Sequence, residues 1–288
     1  MPAFPPAYAD SFMRYLASPE SGVSVITYAD LDFDGDVEHE GDYPHERSVW
    51  EARIASGEID PSRIYVVLQH DVDSWPLRTN RLLQVQSELG VRSTVMIFNR
   101  SVNKKVLEGE GRVEFVDYPI DRTLLAQLES RGWVVAYHSN ALERGGFDDE
   151  VAAEMFRLDV DELGREFDIR FFCPHGGARS PQGRVNADFG MPEDMRGRVR
   201  WTLNRHSVQF DGAFSDGGLA SRLHRSERLD LRRFVRSWQP GRRYRVLMHP
   251  QYYGEPFVPE PSWAEVPWYS RMTALAQSGD SLDGWWRG

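Results

Sequence analysis

The run Ile64-Tyr65-Val66-Val67-Leu68-Gln69-His70-Asp71-Val72-Asp73 passes without a break from β-branched and aliphatic residues into imidazole and carboxylate. Ile64 to Gln69 reads as a buried strand, and the polar cluster falls at its C-terminal end. Three more stretches repeat the arrangement. Trp133 to Tyr137 leads into His138, Ile169 to Cys173 into Pro174-His175, and Tyr244 to Met248 into His249-Pro250. In parallel α/β folds ligands bind at the carboxyl ends of the strands, so these four segments are expected to converge on one pocket.

Working outward, the strands alternate with helical stretches. Thr79 to Leu89 is a predicted helix closed by Gly90, Ser93 to Phe98 a strand, Asp121 to Arg131 a capped helix ended by Gly132, and Asp148 to Phe167 a longer helix. Upstream, a helix from Asp10 to Ala17 and a strand from Val23 to Tyr28 precede an acidic loop, Asp30 to Glu46. Downstream, Pro174 to Gly218 reads mostly as loop with one strand near Ser207 to Phe210. Then follow a helix from Leu229 to Trp238, the strand Tyr244 to Met248 and a C-terminal helix from Trp263 to Gln277. Alternation of this kind implies parallel pairing, and the length favours an α/β fold closed or nearly closed into a barrel, with an open doubly wound sheet as the alternative. The expected organisation is a single domain over 1–288. It comprises an N-terminal extension (1–60), the barrel (61–255) and a C-terminal helix and tail (256–288).

Composition narrows the function. The 34 Lys and Arg against 44 Asp and Glu give a net charge of −10, which disfavours a nucleic-acid partner. At 41% hydrophobic and 27% charged, the chain is an ordinary globular one. No apolar run approaches the roughly 20 residues of a membrane span. The N-terminus has no basic-then-apolar signal pattern, so a cytoplasmic location is expected. With Cys173 the single cysteine, an internal disulfide and a multi-cysteine zinc cage are excluded, and a metal would have to rest on His and carboxylate. Cys173 itself reads as core.

Asp71 and Asp73 stand two apart and so share a face in extended chain, where they repel unless a cation lies between them. One carboxylate with imidazoles suits zinc or iron with a position open for water, and the spare carboxylate can take that water's proton. The alternative is that both aspartates cap the turn Ser74-Trp75-Pro76.

From Ile64 to Pro250 the chain resembles the polysaccharide deacetylase family, which includes the carbohydrate esterases, whose catalytic domain is a distorted (β/α) barrel. His70-Asp71-Val72-Asp73 looks like the family's first motif. That resemblance implies Asp71 as general base and Asp73 as metal ligand. Tyr137-His138-Ser139-Asn140-Ala141-Leu142 is similar to the His-Ser/Thr-x-x-His motif, with Leu142 where the second His ligand belongs. Phe172-Cys173-Pro174-His175-Gly176 resembles the Arg-x-Pro-Tyr-Gly turn that helps form the oxyanion hole, with His175 at the Tyr position and no Arg. A histidine there can replace the lost ligand, giving Asp73, His138 and His175 as the metal set. Leu247-Met248-His249 resembles the Leu-x-His motif, with His249 as general acid. Trp75, Ser139, Asn140, Gly176, Arg179 and Asp216 are the expected substrate-side residues, Asp216 either orienting His249 or pairing with Arg179. The resemblance implies one divalent metal ion, zinc first and then iron, cobalt, nickel or manganese. It also implies a sugar or glycan-precursor substrate losing an acyl group, acetyl above all, from an amide nitrogen. The missing motif residues motivate a second reading, an inactive carbohydrate-binding protein.

Other features have simpler readings. Asp30-Leu31-Asp32-Phe33-Asp34-Gly35 opens like a calcium-binding loop, but the twelfth position is Gly41, so a solvated acidic loop is expected. His39, His45, His206 and His224 are read as surface residues. Arg184, Arg196, Arg198 and Arg200 are read as a solvated face, with contact to phosphates as the alternative.

Overall fold

The computed structural model describes residues 6–31, 43–74, 76–202, 210–218 and 231–254, together with 274, 275, 278, 285 and 286. The strands are β1 (Val23–Ile26), β2 (Ile64–Val72), β3 (Thr94–Ile97), β4 (Ser101–Val102), β5 (Phe115–Val116), β6 (Val134–Ser139), β7 (Phe171–Pro174), β8 (Arg200–Trp201), β9 (Gly212–Ser215) and β10 (Arg243–Met248). The helices are α1 (Pro6–Ala17), α2 (Tyr43–Ala55), α3 (Pro76–Glu88), α4 (Lys104–Glu110), α5 (Arg122–Glu129), α6 (Ala141–Arg144), α7 (Asp149–Leu163) and α8 (Leu231–Arg236). Among the described residues none of these helices is long and apolar enough to cross a membrane.

One curled parallel sheet carries the fold, in the order β8-β7-β6-β3-β2-β10-β9. This is the distorted α/β barrel expected from the strand–helix alternation, realised as a curled half-barrel whose path is open between β8 and β9 among the described residues. Strand β1 pairs with the first half of the same β2 edge whose second half pairs with β3, Val23 opposite Ile64 and Thr94 opposite Gln69. The segment read as an extension therefore supplies a sheet strand. Its chain then turns over β3, where the backbone N–H of Tyr28 donates to Thr94 Oγ1 at 3.4 Å.

The two-residue period of the strands sorts the side chains. Val67, Met96, Val134, Ala136, Phe171 and Cys173 point inward, joined by Tyr28, Trp50 and Phe210. Val95, Ile97, Val135, Tyr137 and Phe172 point outward against α5 and α7, and Val66, Leu68 and Val246 against α1, α3 and α8. Carried past the apolar part of β2 and β6, the same alternation brings Gln69, Asp71 and His138 to the interior face. His70 goes to the opposite face, where its Nε2 lies 2.6 Å from the Gln86 amide of α3.

Several elements differ from expectation for local reasons. Strand β2 runs to Val72, because Gln69 to Val72 continue the ladder with β3. Helix α2 replaces the end of the acidic loop; its buried contribution is mainly Trp50, which packs edge-on against Tyr65 and donates from Nε1 to the Gly241 carbonyl at 3.0 Å. One apolar anchor gives little helical periodicity to read. Strands β8 and β9 flank the predicted Ser207–Phe210 strand, most of which, like the Trp263–Gln277 helix, lies outside the described residues. Asp30, from the calcium-like loop, caps the turn after β1 by accepting from the Thr27 N–H at 2.7 Å and pairs with Arg92. Arg184, Arg196 and Arg198 pair with Asp149, Glu193 and Asp161, as a solvated face does.

A buried ionic network fixes α6 and α7 to the sheet. Asp159 of α7, fully buried, binds Arg144 of α6, accepts from Tyr137 Oη of β6 at 2.5 Å and accepts from Asn99 Nδ2 at 2.9 Å. Removing one partner of such a pair leaves a buried charge without compensation. Asp159→Ala is expected to lower unfolding free energy by about 3–5 kcal/mol, read from urea denaturation; a loss below about 1 kcal/mol, ordinary for a surface pair, would contradict this account.

Candidate metal centre

Three strand ends deliver the central side chains. Asp71 is the last inward position of β2, Asp73 follows it into the loop, His138 is the last inward imidazole of β6, and His175 lies just past β7. His138 Nε2 stands 3.3 Å from Asp73 Oδ1 and 3.7 Å from Asp71 Oδ2; His175 Nε2 stands 3.7 Å from the same Asp73 oxygen. The Phe98 ring holds both imidazoles, stacked on His138 at 5.1 Å and edge-on to His175 at 4.8 Å. The four residues that the sequence pointed to are thus brought together.

Charge is concentrated here. Burial opposes a charged His138, but Asp71 and the neighbouring groups outweigh it and raise its pKa well above 6.5. Burial also opposes the Asp73 charge, yet His175, His138 and His249 hold its carboxyl well below the usual range. The Asp71 carboxylate accepts from Gln69 Nε2 at 2.7 Å through Oδ1, which leaves Oδ2 toward His138.

Asp73 Oδ2 accepts from Gln251 Nε2 at 3.0 Å, whereas its Oδ1, buried, makes no hydrogen bond. This buried oxygen has no well-formed hydrogen bond and looks toward two imidazole nitrogens, an arrangement that a cation can complete. Ligand atoms about 2 Å from a tetrahedral zinc stand about 3.3 Å apart, close to the separations found. Asp73, His138 and His175 therefore fit a divalent ion with a position left open. A second grouping, Asp71 with His138 and Cys173, is fully buried. It needs a thiolate, and in the metal-free chain burial pushes the Cys173 thiol up to about 11, so that ligand would have to be formed at the cost of a buried thiolate, which the set of Asp73, His138 and His175 does not carry. The sequence reading of Cys173 as a core residue agrees with this burial. Cys173 nonetheless faces the site, its sulfur 3.2 Å and its carbonyl 3.3 Å from His138 Nδ1.

A second histidine–carboxylate pair stands at the end of β10. His249 follows β10, and its Nδ1 lies 2.5 Å from Asp216 Oδ1; Asp216 Oδ2 accepts from the His249 backbone N–H and from Tyr253 Oη, both at 2.7 Å. Of the two roles expected for Asp216, the structure selects orientation of His249. Burial works against the imidazolium, but Asp216 with Asp71 and Asp73 raises its pKa to about 9. Beside Asp73 opens a pocket of about 140 Å³, lined by Val72, Asp73, Ser74, Ser101, Val116 and Tyr118.

The other substrate-side residues are less central. Trp75 lies outside the described residues. Ser139 presents its carbonyl to the His175 N–H at 2.8 Å, so that N–H is already committed and does not await an oxyanion. Asn140 donates to the Arg100 carbonyl at 2.8 Å, Gly176 is exposed, and the exposed Arg179 gives its backbone N–H to Glu108 at 3.0 Å. Leu142, at the lost ligand position, is fully buried. Sequence reasoning missed Gln69, Gln251, Tyr253, Phe98 and Glu143. The two-residue period could have found Gln69, two before Asp71 on β2, and Phe98, two after the inward Met96 of β3; Glu143 lies in α6, and Gln251 and Tyr253 in the turn after β10.

No protein-family model matches the chain, and no curated protein matches it significantly. Similar solved structures include a peptidoglycan deacetylase, PdaC, from Bacillus subtilis (15% identity, TM-score 0.39, covering 76% of this chain and 87% of that one). They include BA3943 from Bacillus anthracis, a carbohydrate esterase family 4 pseudoenzyme (16%, 0.38, 77% and 64%), and a Streptococcus mutans family 4 esterase (15%, 0.38, 75% and 84%). They are of the kind that the motifs resemble.

The His249–Asp216 pair has a measurable signature. In the metal-free chain, NMR titration should place the His249 pKa near 9, and Asp216→Asn should lower it by more than about one unit. Because the folded pKa is raised, the pair's contribution to stability is complete below pH 6.5 and is lost as pH rises through about 9. The stability gap between wild type and Asp216→Asn should shrink over that window; a gap that widens with pH would contradict the assignment.

Proposed function

We propose that this chain is a metal-dependent hydrolase that removes an acyl group, acetyl above all, from an amide nitrogen of a sugar or glycan precursor. We propose the cytoplasm as its place of action. The observation that carries this reading is the Asp73 oxygen left without a hydrogen bond between two imidazole nitrogens, with a second carboxylate, Asp71, beside it. A divalent ion held by Asp73, His138 and His175, zinc first, would supply Lewis acidity toward a carbonyl oxygen and toward water.

The chain's own groups supply the proton handling. Asp71, steadied by Gln69 on one oxygen, can accept a proton on the other. His249, with Nδ1 held by Asp216, keeps Nε2 free to give a proton to a departing amine, and with a pKa near 9 it carries that proton at neutral pH. A base on one side and an acid on the other is the arrangement amide hydrolysis needs. The pocket beside Asp73 gives room for a substituent of the substrate. The solved structures named above include deacetylases and a pseudoenzyme, and both readings are consistent with that company. Leu142 at a ligand position is the observation that favours the second reading, an inactive carbohydrate-binding protein.

Metal per chain, measured by plasma mass spectrometry on protein prepared without chelator, tests the reading first. Near-stoichiometric zinc or another divalent ion is expected in wild type and is expected to be lost in Asp73→Ala and His138→Ala. Acetate release from N-acetylated sugars should then be abolished by chelation and fall about 10²–10⁴-fold in Asp71→Asn, which keeps its metal. Absence of metal after loading with zinc would overturn the hydrolase reading. Stoichiometric metal with glycan binding and no acyl release across such substrates would favour the second.

A further inference from the structure

Glu143 is a buried carboxylate with no part in the core. It sits in α6, one residue past Leu142, and only 4% of it is exposed. Its Oε2 lies 3.3 Å from His175 Nδ1, on the side of the ring opposite to the Nε2 that faces Asp73. Its Oε1 accepts from the Ala178 backbone N–H. The same segment grips the backbone around His175: Ser139 takes its N–H, and Asn186, which accepts from the Glu143 N–H at 3.2 Å, donates to the His175 carbonyl at 3.2 Å. Gly177 makes the approach possible. A Cβ there would press on Glu143 Oε1 and come within 2.5 Å of His175 Nδ1. Burial disfavours the Glu143 charge, but His175 and these donors hold its carboxyl below the usual range.

We infer that Glu143 is a positioning residue for the metal centre, its carboxylate holding the proton of His175 on Nδ1 so that Nε2 presents a lone pair beside Asp73. The inference rests on the metal reading above and deepens it. Nδ1 is the ring nitrogen nearer a carboxylate, 3.3 Å from Glu143 against 3.7 Å between Nε2 and Asp73, so a neutral His175 keeps its proton on Nδ1 and leaves Nε2 as acceptor. The chain that lacks a second motif histidine at position 142 thus braces its replacement from position 143. Ring orientation is fixed as well, with Glu143 on one edge and Phe98 against the ring at 4.8 Å.

Glu143→Gln tests this with little change of volume. The Ala178 N–H demands an oxygen, so a glutamine side chain turns its amide NH₂ toward His175 Nδ1 and moves the ring proton to Nε2, where it blocks a metal. Titration of metal-free protein with Co²⁺ or Zn²⁺ should show binding weakened about 10–100-fold in Glu143→Gln. Glu143→Gln added to His175→Ala should cause no further loss, because there is then no ring to orient. Gly177→Ala, which disturbs the same contact from the backbone side, should also weaken binding.

In wild type without metal, ¹⁵N NMR at a pH where the His175 ring is neutral should find its Nδ1–H form. Unchanged affinity in Glu143→Gln overturns the inference and leaves the metal reading standing, as does an equal loss in both backgrounds or an Nε2–H ring in wild type. Failure of wild type to bind either ion overturns the metal reading and this inference with it.

Discussion

Two carboxylates pressed against one imidazole at the dry end of a parallel sheet are the constraint around which the site is arranged. Asp71 and Asp73 both face His138 Nε2, in surroundings where unbalanced charge is expensive. Each element nearby supplies something to that imbalance. Gln69 and Gln251 donate amide protons to the outer oxygens, Phe98 walls off one side, and His175 brings a second nitrogen to the oxygen left over. The amide donors go to the outer oxygens, and the inner oxygen of Asp73 is left facing only imidazole nitrogens, which makes the cluster a candidate site for a cation.

The sheet divides the chemistry spatially. Asp71 and Asp73 come from the end of β2, His138 and His175 from β6 and β7, and the His249–Asp216 pair from β9 and β10, with Asp216 spending both oxygens on His249 and a third hydrogen bond on Tyr253. Since β2 lies between β3 and β10, its own strand end is flanked by the other two groups without any long loop having to reach across.

How much of this was legible in the sequence varies with how local the cause is. The strand-end histidines and aspartates were readable because a run of apolar residues handing over to a polar one is a local pattern, and the parallel order follows from alternation. His138, His175, Asp73 and His249 were found in this way. Glu143 was not, because its importance comes from a turn at 174–178 that folds back on α6, and nothing in residues 138–143 announces it. Cys173 was read correctly as buried but without its neighbour, since burial is a property of one residue and proximity to His138 depends on the register between β6 and β7. Helix α2 was missed where a single tryptophan does most of the anchoring. The short hairpin of β4 and β5 and helix α4 are too brief and too polar to leave a periodic trace.

The order of pairing on β2 has a consequence for biogenesis. Its earliest neighbour, β1, precedes it in the chain, while the strand on its opposite edge, β10, arrives only after almost the whole sheet has been made, and Gln251 meets Asp73 across 178 residues. Contacts of such long sequence separation close late and slowly. During synthesis, therefore, one flank of a nine-residue apolar strand stays open and its acidic end stays uncompensated until the final quarter of the chain emerges. An unpaired edge of that kind recruits other strands. Chains stalled or cleaved before β10 should consequently be prone to aggregate, and should depend on chaperones that cover sheet edges far more than the finished molecule does.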